Sequence, residues 1–117
     1  MENEEEPVAR QQTEFMSQVP PEKAGKLYFL KAELHYLQVV TEKGSSLVLY
    51  NLSDAVSELS AETGVTVHRS YWVAYDAIKT LTRRGRQGVL ELQNGDSVPV
   101  SRSKFKNVSE LIAAREG

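Results

Sequence analysis

From Lys26 onward the apolar positions fall into short runs bounded by turn residues, the pattern of pleated strands. Leu27, Phe29 and Ala32 predict a first strand, and Tyr36-Leu37-Gln38-Val39-Val40 a second. Thr41-Glu42-Lys43-Gly44 reads as a turn, and Ser46-Leu47-Val48-Leu49-Tyr50 completes a hairpin. The period then changes. Leu52, Val56 and Leu59 stand four and three apart, with Ser53 as N-cap and Asp54 in the first turn. This predicts a short helix over 53–61 that ends before Gly64.

Beyond it, Val67-His68-Arg69-Ser70 leads into the apolar run Tyr71-Trp72-Val73-Ala74. Residues 78–83 predict another strand, closed by the turn Arg84-Gly85-Arg86. Val89-Leu90-Glu91-Leu92 then pairs with Ser97-Val98-Pro99-Val100 through Asn94-Gly95, a two-residue hairpin signal. Pro99 has no amide hydrogen, which places that strand at an edge or a strand end. Phe105, Val108, Leu111 and Ile112 recur at helical spacing and predict a C-terminal helix over 104–116. Residues 1–22 are polar, acidic at the start and end in Pro20-Pro21, so they read as a flexible acidic tail or linker, with one marginal helix around 9–18. The remainder, 23–117, reads as one mainly-β domain with one short helix after the first hairpin and a C-terminal helix.

A chain of 117 residues with 40% apolar and 26% charged residues suits one globular domain with a modest core. It has no cysteine, which excludes disulfides, thiolate catalysis and cysteine-based zinc sites. His35 and His68 are its only histidines, too few for a structural metal site, and no cofactor is expected. No apolar run approaches the roughly 20 residues needed to span a bilayer. Glu2, Glu4, Glu5 and Glu6 stand where a signal peptide carries bases, so the expected compartment is the cytoplasm.

The formal net charge of −2 argues against a nucleic-acid partner until its distribution is considered. Residues 1–23 hold six acids and two bases, whereas 68–106 hold eight cations against three carboxylates, a local +5. Two segments within that basic stretch set cations and hydroxyls beside apolar runs: 67–74 and 98–103. Small sheet domains present rigid loops to nucleic acid in this manner. Catalysis has less support. Ser70, His68 and Asp76 sketch a triad, but neither a G-x-S-x-G elbow nor a phosphate-cradling glycine loop is present, and no enzyme or small-molecule substrate is expected.

Four pieces, in order, carry a family resemblance: Ala32-Glu33-Leu34-His35-Tyr36-Leu37-Gln38-Val39, Leu52-Ser53-Asp54-Ala55, His68-Arg69-Ser70-Tyr71-Trp72-Val73 and Val98-Pro99-Val100-Ser101-Arg102. Together they resemble the LytTR (LytR/AlgR-type) DNA-binding domain over roughly 25–105. The resemblance implies an elongated arrangement of small antiparallel β-sheets whose loops enter successive major grooves. It implies the output domain of a bacterial transcription regulator, bound to repeated half-sites of double-stranded DNA as a homodimer. Val19-Pro20-Pro21-Glu22 is similar to the linker of members whose upstream half is membrane-embedded; a receiver domain upstream is the other option.

By the same resemblance His35 and Arg69 occupy base-reading positions. A histidine there donates to guanine N7 or O6, and an arginine forks guanine. The bland alternatives are a strand-end cap for His35 and a surface ion pair for Arg69. Ser103 stands where many members carry a base, so base reading in the third loop falls to Ser103 itself or to Arg102 or Lys104 beside it; otherwise the loop touches only phosphate. Ser70, Ser101, Arg102 and Lys106 are assigned to the DNA backbone, with a solvated helix face as the alternative for Lys106. Arg83, Arg84 and Arg86 form a hairpin tip, either a solvated turn or a clamp on flanking phosphate. Trp72 and Tyr71 fit a core that holds Arg69 rigid better than a stacking platform for single strands.

Two other functions stay open: a β-rich module that docks a peptide or upstream sensor domain along an edge near Pro99, and single-strand or RNA binding through Tyr71 and Trp72. Glu2 to Glu6 further suggest weak autoinhibition, competing with phosphate for the basic loops.

Overall fold

The computed structural model describes residues 13–116. Eight strands and two helices follow in the order β1 (Leu27–Glu33), β2 (Tyr36–Thr41), β3 (Gly44–Val48), α1 (Leu52–Ser57), β4 (Gly64–His68), β5 (Tyr71–Ala74), β6 (Ile78–Arg84), β7 (Gln87–Leu92), β8 (Ser97–Val100) and α2 (Arg102–Glu116). Short 3₁₀ turns cover Met16–Gln18, Pro21–Lys23 and Tyr75–Ala77. One sheet has the order β3-β2-β1-β5-β4 and the other β6-β7-β8, every pairing antiparallel. The molecule is elongated, 51 × 35 × 24 Å.

Register explains why the central strands are apolar on both faces. Leu30 pairs with Val39 and Trp72, whereas its neighbour Phe29 pairs with Val40 and Val73. Successive side chains leave opposite faces of a strand, so these two rows face two different cores. The Leu30 row packs with Phe15, Val19 and Ala55 of α1. The Phe29 row packs with Leu90, Leu92, Val98 and Val100 of the smaller sheet and with Val108 of α2. The result is three layers, with the larger sheet in the middle.

Several expectations are revised. The N-cap of α1 is Asn51, not Ser53: its extended backbone lets Asn51 Oδ1 accept from the Asp54 N–H at 2.8 Å, while Ser53 Oγ donates to that same oxygen at 3.1 Å. The helix closes at Ser57, earlier than the apolar spacing suggests. Gly64 begins a strand instead of merely stopping a helix. A Cβ there would lie 2.2 Å from Trp72 Cζ2, so the indole fits only over a glycine. The Asn94-Gly95 turn is longer than two residues. The Gly95 N–H donates to Leu92 O and the Leu92 N–H to Asp96 O, with Gly95 at φ +92, which makes a three-residue loop ending in a left-handed glycine. Pro99 lies on β8, the edge of the smaller sheet.

Within the stretch read as a flexible linker, residues 13–22 pack against the domain. Phe15 is fully buried and Val19 nearly so. Glu58 Oε1 accepts from the backbone N–H groups of Glu14 and Phe15, and its Oε2 accepts from the Tyr50 hydroxyl. Residues 1–12, including the first four residues of the marginal helix expected over 9–18 and the acidic Glu2 to Glu6, lie outside the described residues, and the rest of that expected helix is only the 3₁₀ turn at Met16–Gln18.

Candidate nucleic-acid interface

Three chain reversals carry the residues singled out above. The β1–β2 pairing ends at Glu33 opposite Tyr36, leaving Leu34-His35 as a two-residue turn, with both side chains exposed. In the second reversal His68 pairs with Tyr71, so Arg69 and Ser70 form the turn between β4 and β5. Arg69 is exposed and Ser70 half-buried. At the third, Ser101 links β8 to α2, whose first residues are Arg102, Ser103 and Lys104. Arg102 and Ser103 are exposed, Ser101 and Lys104 half-buried, and Lys106 is exposed one turn beyond Arg102 on α2.

Two backbone hydrogen bonds join these reversals. The Ala32 N–H, at the foot of the first turn, donates to Ser70 O in the second at 2.8 Å. The Ser101 N–H, at the third, donates to Val67 O just before the second turn at 2.9 Å. His35, Arg69 and the 101–104 segment therefore lie along one rim in the order β1–β2 turn, β4–β5 turn, β8–α2 junction. Antiparallel pairing makes this possible, because β1 ends where β5 begins.

The rim is braced from beneath. The Ser70 N–H donates to His68 Nδ1 at 3.1 Å, which leaves Nε2 to carry the ring proton of a neutral His68. The His68 ring meets Tyr71 edge-on at 5.7 Å, and Tyr71 lies 6.1 Å from Phe29. Lys31 Nζ stands 5.8 Å from the Tyr71 ring centroid and 3.5 Å from Glu33 Oε2. Tyr71, and after it Glu33, raise the Lys31 pKa above its usual value, so its positive charge is secure. Among the described residues, Arg69, Arg102, Lys104 and Lys106 have no ion-pair partner. Ser101 Oγ and Ser103 Oγ lie 3.4 Å apart.

The triad sketched from Ser70, His68 and Asp76 does not assemble. Asp76 follows the far end of β5 and stands 3.9 Å from Arg115.

A family model described as the LytTr DNA-binding domain matches residues 20–113. The chain belongs to the LytTr DNA-binding domain family. It is 33% identical over 92 residues to the CO-responsive transcriptional regulator RcoM of Rhodospirillum rubrum, a match covering 77% of this chain and 39% of that regulator's length. It also resembles a solved LytTr DNA-binding domain from Bacillus cereus, with a TM-score of 0.68 and 26% identity over 74% of this chain and 81% of that one. The mainly-β fold expected from the sequence is the fold of this family.

Within this LytTr domain a reading of the sequence passes over Lys31 and Leu34 at the rim, and the hairpin tip it offers as a phosphate clamp gains a position beside the third reversal. Lys31 sits on β1 beside the first two turns through the Tyr71 ring, and strand alternation was the signal available for it. Arg84 and Arg86 flank a tip that register brings next to the third reversal, since Arg83 pairs with Gly88 and Gly88 with Val100. Arg83 is occupied there: its guanidinium lies 4.5 Å from the Phe105 ring centroid. Leu34 has φ +49 and a fully exposed side chain, and nothing in the apolar spacing marks it as different from a core leucine. Trp72 is buried, which removes it as a stacking platform. No helix among the described residues is long and apolar enough to cross a membrane.

Proposed function

We propose that this LytTr domain binds double-stranded DNA sequence-specifically, its three joined reversals entering successive major grooves as the output domain of a bacterial transcription regulator. The rim made by the Ala32–Ser70 and Val67–Ser101 hydrogen bonds carries this reading, because it sets an imidazole, a guanidinium and a cationic helix start in one row. His35 and Arg69 read base edges, with Arg69 forking a guanine. In the third loop Ser103 and Lys104 read bases. Ser70, Ser101, Arg102 and Lys106 hold phosphate and so set the register in which bases are read. Arg84 and Arg86 reach flanking phosphate.

The regulator of Rhodospirillum rubrum supports a place in transcription control, and the whole protein is proposed to couple an upstream sensor or receiver domain to this one. Binding as a homodimer on repeated half-sites follows from the same reading. The test is selection of bound sequences from a random duplex library, followed by titration of the enriched and random duplexes at two salt concentrations. Specific binding should weaken with salt by about 0.9 log units per neutralised phosphate per log unit of salt. Equal, salt-insensitive retention of both duplexes would remove the proposal.

One observation favours a second reading, a docking surface for an upstream domain or a peptide. The exposed apolar edge is β3, where Leu47 and the following Leu49 face solvent, and not the strand carrying Pro99, whose neighbours Val98 and Val100 are buried. Retention of an upstream fragment by the wild type, lost in Leu47→Asp, would support docking there.

A further inference from the structure

Among the described residues, reversals place a residue at positive φ in four places, and three of them use glycine: Gly44 at +141, Gly85 at +62 and Gly95 at +92. The fourth is Leu34 at +49, the only non-glycine residue at positive φ among the described residues. A branched side chain in the left-handed region is strained by contact between Cβ and its own backbone. Leu34 gains nothing from its neighbours in return, because its side chain is fully exposed. Glycine or asparagine would form the same turn at lower cost. Strain of this kind, held on a turn beside an exposed imidazole, points to use by a ligand.

Leu34 precedes His35, and the Ala32–Ser70 hydrogen bond keeps its turn beside Arg69. Major-groove base edges offer one apolar group, the C5-methyl of thymine, and apolar side chains recognise it by contact. We infer that Leu34 is a specificity-determining residue that reads a thymine methyl next to the base contacted by His35. This inference rests on the proposed duplex-DNA function. In water the side chain has no favourable alternative contact, so the methyl contact removes apolar surface from solvent on both partners.

The test takes the duplex enriched by selection and replaces each thymine in turn with deoxyuridine, which lacks only the methyl group. Affinities of the full chain and of Leu34→Gly are measured by fluorescence anisotropy. The wild type should lose about fourfold at one thymine, the worth of one buried methylene-sized group. Leu34→Gly should bind the unmodified site more weakly and be indifferent to that replacement, while its thermal midpoint stays level or rises. Specific binding without any thymine at which wild type and variant differ in this way overturns the inference and leaves the DNA reading intact. Absence of specific binding overturns both. A Leu34→Gly variant with unchanged affinity but impaired pairing between copies would overturn the methyl contact in favour of a protein contact.

Discussion

Where the chain enters the domain, Phe15 is fully buried and Glu58 accepts hydrogen bonds from two backbone amides and the Tyr50 hydroxyl. Along the rim, Leu34 is fully exposed at φ +49, and Arg69 has no ionic partner among the described residues. The first region satisfies its polar groups and buries its apolar ones. The second leaves donors, cations and a strained leucine facing solvent. Their contrast separates a part of the domain that supplies stability from the part proposed for recognition. The rim can stay unsatisfied because the anchored region and the two cores hold the strands beneath it.

Phe15→Ala strikes at the anchored region. Removing a fully buried phenylalanine should destabilise the domain by about 3–5 kcal/mol in chemical denaturation. An unchanged midpoint would mean that residues 13–22 are not part of the folded unit. At the rim, Arg69→Ala should leave stability within about 0.5 kcal/mol of wild type. Its affinity for the selected duplex should fall by about 1–3 kcal/mol, with base preference relaxed at one position. Equal losses on selected and random duplexes would reassign Arg69 to phosphate.

Arg84→Ser with Arg86→Ser sharpens the extent of the rim. Each cation withdrawn from phosphate should lower the salt slope by about 0.9, without altering the selected sequence. An unchanged slope would return both residues to the role of a solvated turn. The narrowest effect belongs to the anchored region. Its hydrogen bond to Glu58, and after that burial, push the Tyr50 pKa up to about 12 from 10.0. A raised pKa favours the neutral phenol in the folded state, so its contribution is complete below the unfolded value of about 10 and lost as pH rises through the folded one. Stability should therefore fall across that alkaline window in the wild type, and Tyr50→Phe should flatten the fall. A slope identical in both proteins would show that the Tyr50–Glu58 contact does not anchor the segment.

Strand positions were legible wherever one residue type settles the matter. The apolar runs at Leu37 to Val40 and Trp72 to Ala74 mark strands covered on both faces, and each lies in one. Pro99 announces an edge, and its strand is one. Less legible were features that depend on a distant partner. Gly64 reads as a helix stop until the Trp72 ring is seen above it. Asn51 and Ser53 are both good caps, and only backbone conformation selects between them. Phe15 stands in polar sequence, and its burial depends on Tyr50 and α1 arriving beside it.

Residue types, their spacing and their order were enough to point to the family and the mainly-β class and to single out the residues proposed to meet DNA, because side-chain chemistry and local periodicity are properties of the chain itself. Nothing local could establish that the three reversals meet along one rim, or that a leucine among them projects from strained backbone. Those facts arise from register between strands far apart in sequence, which is set by packing both faces of the central sheet.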